Sequence, residues 1–168
     1  MKTNLRQSFA LATMALCLTR CAPGEVELSD EDNAVVDGTI TWERPEVGSI
    51  FVGGGMCTAT LITPEVAVTA AHCIDFRTAD RVGNYGRFVI QAGPSSQQLR
   101  YTIDRYRSFG RVGEGDVALL HLAEAVPVGV ANPAGIAARH PNAGEALTLF
   151  GYGCTRRNTS QGSGTKRK

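Results

Sequence analysis

A histidine and an aspartate 44 positions apart are the side chains of this chain best suited to handle protons together. His72 lies in Thr69-Ala70-Ala71-His72-Cys73, and Asp116 opens Asp116-Val117-Ala118-Leu119-Leu120. An imidazole titrates near pH 6.5, so it can take a proton from a nucleophile and return it to a leaving group. A carboxylate that accepts the other ring N–H holds the tautomer and stabilises the imidazolium that forms. Ser-His-Asp sites of one well-known order separate the two residues by about 45 positions. Taken singly, His72 reads as a packed histidine and Asp116 as a turn or strand-start residue; it is their order and spacing that set them apart.

The segment before the histidine carries a means of holding it still. Cys57 and Cys73 stand 16 positions apart, and in an exported chain their natural reading is a disulfide. Closing a loop of that size is worth roughly 3 kcal/mol in the chain-entropy model. A zinc site would want further Cys or His at close spacing, which His72 alone does not supply. No metal or cofactor is expected. The small residues Ala70 and Ala71 allow a tight turn that presents the imidazole at a strand end.

The elements that position these residues are short strands. Residues 47–52 are apolar and end at Gly53-Gly54-Gly55. No helix-forming run or Lys-Ser/Thr pair follows these glycines, so a hairpin turn explains them better than a phosphate cradle. Residues 57–62 and 66–69 flank Thr63-Pro64-Glu65, a tight connection. A fourth strand is expected over 87–92, ending at Gly93-Pro94. Leu99, Tyr101 and Ile103 alternate with Arg100, Thr102 and Asp104, the period of a half-buried strand. Residues 117–122 are apolar on both faces apart from His121, as in a central strand. Six such strands within about 75 residues suit a small antiparallel barrel. Beyond Pro127 the chain reads as loop to Ala143. Residues 147–150 with Gly151-Tyr152-Gly153 read as a seventh strand with nothing left to pair with. The end of the chain, from Asn158 to Lys168, reads as a solvated basic tail.

The beginning of the chain has a different composition. Lys2 and Arg6 precede a short apolar run over 8–18, too short for a membrane span and arranged like a signal peptide over 1–22. Leu18-Thr19-Arg20-Cys21 resembles a bacterial lipoprotein box, which would put a lipid on Cys21. Arg20 stands where a small residue is wanted, so plain secretion, with Ala15-x-Cys17 as the cut, is preferred. Either route delivers the chain to a disulfide-permissive place: secreted, periplasmic, or lipid-anchored at the cell envelope. Residues 23–34, with Asp30-Glu31-Asp32, read as an acidic linker or propeptide.

The 168 residues carry a net charge of +1 and are 43% apolar, enough for one good core. That balance gives no reason to expect nucleic acid or an anionic membrane as a partner, and it speaks to no oligomeric state. Nineteen glycines and seven prolines favour strands and turns over long helices.

Three stretches together resemble the trypsin/chymotrypsin-like serine proteases of the bacterial secreted type. They are Cys57-Thr58-Ala59-Thr60-Leu61-Ile62-Thr63-Pro64, Val66-Ala67-Val68-Thr69-Ala70-Ala71-His72-Cys73 and Asp116-Val117-Ala118-Leu119-Leu120. Val35-Val36-Asp37-Gly38-Thr39 is similar to that family's mature N-terminus, and Gly151-Tyr152-Gly153 to its Gly-Trp-Gly strand. The resemblance implies an all-β fold. The first antiparallel Greek-key barrel would run to about residue 127, and the start of a second barrel would lie at 147–153 within a domain over 35–168, followed by a basic tail over 154–168. It implies peptide-bond hydrolysis of protein or peptide substrates, with His72 and Asp116 catalytic.

The chain also departs from the family. Ser160 and Ser163 follow Asp116 at about half the family's spacing of roughly 90 residues, and Gln161-Gly162-Ser163-Gly164-Thr165 lacks the Gly-Asp-Ser-Gly-Gly setting. Ser163 is therefore read as tail, and the nucleophilic serine as absent from this chain. Cys154 is left unpaired. Ala34 precedes Val35 where a trypsin-activated zymogen would show Arg or Lys. The expectation is a C-terminally truncated serine endopeptidase that is inactive alone. The alternatives are a non-catalytic pseudoprotease binding module and a truncated gene product. His121 and His140 are read as surface residues.

Overall fold

The computed structural model describes residues 38–74, 84–91, 93, 97–110, 112–155 and 160–168. The signal segment with Cys21, the acidic stretch and Val35 lie outside these residues. Among the described residues no helix is long and apolar enough to cross a membrane.

Alternation of apolar and polar residues produces six strands: β1 (Val47–Val52), β2 (Gly55–Thr63), β3 (Val66–Thr69), β4 (Gly86–Ile90), β5 (Leu99–Ser108) and β6 (Ala118–Leu122). All pairings are antiparallel, and the order β1-β2-β3-β6-β5-β4 closes on itself through β1 and β4, leaving no open edge. The inward positions interlock as one core, with Ile50, Leu61, Phe88, Ile90, Ile103, Leu120 and Leu122 wholly buried. The expected small barrel is thus present.

Local chemistry explains its corners. Gly53 and Gly54 have φ of 60° and 87° and join the paired residues Val52 and Gly55, the two-residue turn that needs left-handed backbone twice. At Gly48 a Cβ would stand 2.5 Å from the Phe88 ring and 2.6 Å from the Val89 carbonyl oxygen. Only glycine lets β1 approach β4 closely enough to seal the barrel.

Three expectations are corrected. The fifth strand runs on past the alternation read over 99–104, to Ser108. The β5–β6 register shifts between Ile103 and Arg105, so Asp104 is an inserted residue and inward positions change from odd to even numbers. That phase change hides the second half of the strand from a period-2 reading. The seventh strand is not formed: Leu147 and Leu149 are exposed, and Gly151 makes only an isolated bridge, with Arg167. Nor is the end of the chain solvated throughout: Ser160, Gln161, Ser163, Gly164 and Lys168 are exposed, but Lys166 and Arg167 are not. Thr39 and Lys168 exchange backbone hydrogen bonds, Thr41 donates to Lys166, and Lys166 and Arg167 are buried. The Lys166 ammonium donates to the Arg44 and Val47 carbonyl oxygens at 2.9 and 3.2 Å. A buried ammonium bonded to carbonyls is tolerated where an unbonded one is not.

Burial pulls the pKa of Lys166 down to about 8, against the opposing pull of Glu46. A folded value below the free value means that this group favours the fold most where lysine is neutral in both states, and that the gain is lost as pH falls through about 8. Thermal stability of the wild type is therefore expected to rise between pH 8 and 10 relative to a Lys166→Met variant. Parallel melts of the two proteins across that range measure the difference.

Candidate active site

β3 and β6 are adjacent and antiparallel, with Thr69 opposite Ala118. The residues just beyond the end of β3 therefore lie beside those just before the start of β6. Beyond Thr69 the chain turns through a short 3-10 segment, Ala71–Cys73, with Ala71 buried as its inner wall. His72 points from that turn towards Asp116, whose approach to β6 is bent by Gly115 at φ 69°. The Cys57–Cys73 disulfide ties the turn back to β2, with the Cα atoms 6.1 Å apart.

Two bonds join the pair. The His72 backbone N–H donates to Asp116 Oδ1 at 2.9 Å, and the ring Nδ1 lies 2.7 Å from Asp116 Oδ2. A carboxylate only accepts, so Nδ1 carries the proton and Nε2 keeps its lone pair. The imidazole is thus held in the tautomer that a general base requires. The His72 ring bond holds the Asp116 carboxyl below the ordinary carboxylate range, helped by the His72 backbone N–H and opposed by partial desolvation. Asp116 is thereby held as the carboxylate, and an imidazolium formed at His72 would face a fixed negative charge. The side chains are 40% and 25% exposed, so a substrate can reach the ring.

His72 opens into a cleft of about 270 Å³. The disulfide, Thr58 and Tyr152 form part of its wall, and Cys154 and Ser163 line it too. Tyr152 is fixed there by its backbone N–H to Thr58 Oγ1 at 3.0 Å and its hydroxyl to the Val47 carbonyl at 3.4 Å. Burial pushes the Tyr152 phenol up to about 12, so it remains neutral. Ser163, read from the sequence as tail, is a wall residue of the cleft. The free Cys154 faces the same space. Neither placement carried a local sequence signal, since both depend on the docking of the final segment.

The disulfide sulfurs and a His72 ring nitrogen lie within 4.8 Å of one another. While the sulfurs are bonded to each other they offer no thiolate to a metal. His121 forms a second histidine–carboxylate pair, Nδ1 to Asp104 Oδ1 at 2.6 Å, with Arg105 against its ring. It lies where β5 and β6 pair, outside the cleft lining, as a surface residue. His140 is exposed beside Arg139, which pairs with Glu145.

A family model described as Trypsin matches residues 38–166, most of the chain.

The disulfide is the covalent clamp on the turn that carries His72. A Cys57→Ala/Cys73→Ala double variant is expected to lose about 3 kcal/mol of stability. Denaturant unfolding against the wild type measures the loss.

Proposed function

The chain belongs to the trypsin family, and we propose that it is the part of a serine-type endopeptidase that supplies the general base and its orienting carboxylate. The observation that supports this is the doubly bonded His72–Asp116 pair, 2.9 and 2.7 Å, at the rim of an open cleft. In the proposed reaction His72 Nε2 takes the proton of an attacking serine hydroxyl and delivers it to the leaving amine. Asp116 keeps the ring oriented and balances its transient charge. The serine and its oxyanion-binding amides would come from a second barrel. The exposed Leu147 and Leu149 are apolar surface that such a barrel would cover. The domain we propose spans 35–168, preceded by a signal segment over 1–22 and a linker over 23–34. The disulfide supports maturation in an oxidising place outside the cytoplasm, with Cys21 as the point of attachment if a lipid is added.

These 168 residues alone are expected to show no turnover of peptide esters or amides. Turnover that disappears in His72→Ala would show that a nucleophile is already present and refute that part of the proposal. Joined to a serine-bearing second barrel of the family, the chain is expected to become a peptidase. In that protein Asp116→Asn should lower kcat by about 10⁴-fold, as the loss of the carboxylate does in other Ser-His-Asp enzymes. A kcat unchanged by Asp116→Asn would remove the dyad from the mechanism.

A further inference from the structure

We propose that the outward face of β4, β5 and β6 is a docking strip for an extended acidic peptide segment of a partner protein. The outward positions of these three strands hold four arginines, Arg87, Arg100, Arg105 and Arg107, against one carboxylate, Asp104. A net charge of +1 over the 168 residues conceals this concentration. Outward strand positions favour β-branched and aromatic residues, and like charges on neighbouring strands repel one another. Neither propensity nor packing accounts for the arginines.

Their partners among the described residues leave the charge available. Arg87 donates to Asn84 Oδ1 at 2.6 Å and to the Gly86 carbonyl, and Arg100 donates to Gln98 Oε1 at 3.1 Å. Arg107 lies over the Phe109 ring, 5.2 Å from its centre. These neutral partners steady three guanidiniums without cancelling them. Asp104 is answered locally, by His121 Nδ1 at 2.6 Å and by Arg105 at 3.8 Å, and the Arg105 side chain is still 69% exposed. Register gives the strip its shape. Arg87 stands opposite Thr102, and Arg105 opposite His121. From Arg100 to Arg107 the arginines follow β5 for about 23 Å, at a rise of about 3.3 Å per residue. Exposed Phe51, opposite Arg87 on β1, and exposed Phe109 bound the strip.

Three features select the occupant. The barrel is closed, so no strand can be added at an edge and recognition falls to side chains. Carboxylates are the partners that guanidiniums grip with two parallel hydrogen bonds. In an extended peptide, side chains on one face recur about every 6.7 Å, which is also the strand spacing of Arg105 and Arg107. A peptide lying along β5 with acids at alternate positions meets both arginines. It can set a neutral residue against Asp104 and rest apolar side chains on Phe51 or Phe109. A uniformly charged polymer has no neutral position to offer Asp104. No residue of the His72 cleft takes part, so the strip stands or falls apart from the peptidase reading.

The test is fluorescence anisotropy of a labelled decapeptide of alternating Glu and Thr, titrated with the full chain. Saturable binding is expected at low ionic strength, weakening about tenfold between about 0.02 M and about 0.3 M salt as the exposed charges are screened. The Arg105→Gln/Arg107→Gln double variant should bind about tenfold more weakly, the effect of losing two exposed ion pairs. Arg107→Lys, which keeps the charge, should bind within about twofold of the wild type. So should Arg139→Gln, which removes an exposed arginine outside the three strands. Any of four results overturns the proposal. They are no saturable binding of the peptide, undiminished affinity in the double variant, an equal loss in Arg139→Gln, or tighter binding of a sulfated oligosaccharide of matched charge, which would mark a surface for uniform polyanions instead.

Discussion

The pairing of β3 with β6 is the constraint on which the site rests. Only four residue pairs join these strands, from Val66 with His121 to Thr69 with Ala118. They bring together segments separated by all of β4 and β5. That loop closure is entropically unfavourable, and it is offset by the burial of Ala67, Ala118, Leu120 and Leu122 in the shared core. Antiparallel geometry then does the rest. Advancing along one strand from Thr69 retreats along the other from Ala118, so a histidine three residues on and an aspartate two residues back must become neighbours. The disulfide narrows the turn's freedom but does not create the proximity.

The electrostatics follow from that placement. Asp116 uses one oxygen for the His72 backbone and the other for the ring, so the two bonds fix position and tautomer together. Because the pair is partly exposed, its Coulomb energy is moderate, and its value is orientation more than stability. The outer pair of His121 and Asp104 makes the contrast. It has a comparably short bond, 2.6 Å, but Arg105 lies against the ring, and His121 is not among the residues that line the cleft beside His72. A histidine–carboxylate contact by itself therefore says little about chemistry; the bond from its own backbone N–H to the same carboxylate and the cleft it lines distinguish His72.

Much of this was legible in the residues, for identifiable reasons. The alternating or apolar runs, the double-glycine turn and the Thr63-Pro64-Glu65 connection each encode their structure locally, so the barrel strands could be read directly. The histidine and aspartate were legible by order and spacing. What escaped reading was non-local. The bulge at Asp104 breaks the alternation that would have extended β5 to Ser108. The fate of Leu147 and Leu149 depends on whether a neighbouring strand exists, and the five-residue window around them does not say. Lys166 and Arg167 have the composition of an exposed tail. They are buried because Gly151, Arg44 and Val47 offer backbone partners contributed by distant parts of the chain.

That same docking changes what the cleft contains. With the final segment packed against β1 and the Gly151–Gly153 stretch, the space beside the imidazole is walled by a thiol and a hydroxyl as well as by the disulfide. An oriented imidazole with one free lone pair is a proton acceptor, and Asp116 orients it by holding the proton on Nδ1. The Cys57 and Cys73 sulfurs, bonded to each other, are inert wall beside it.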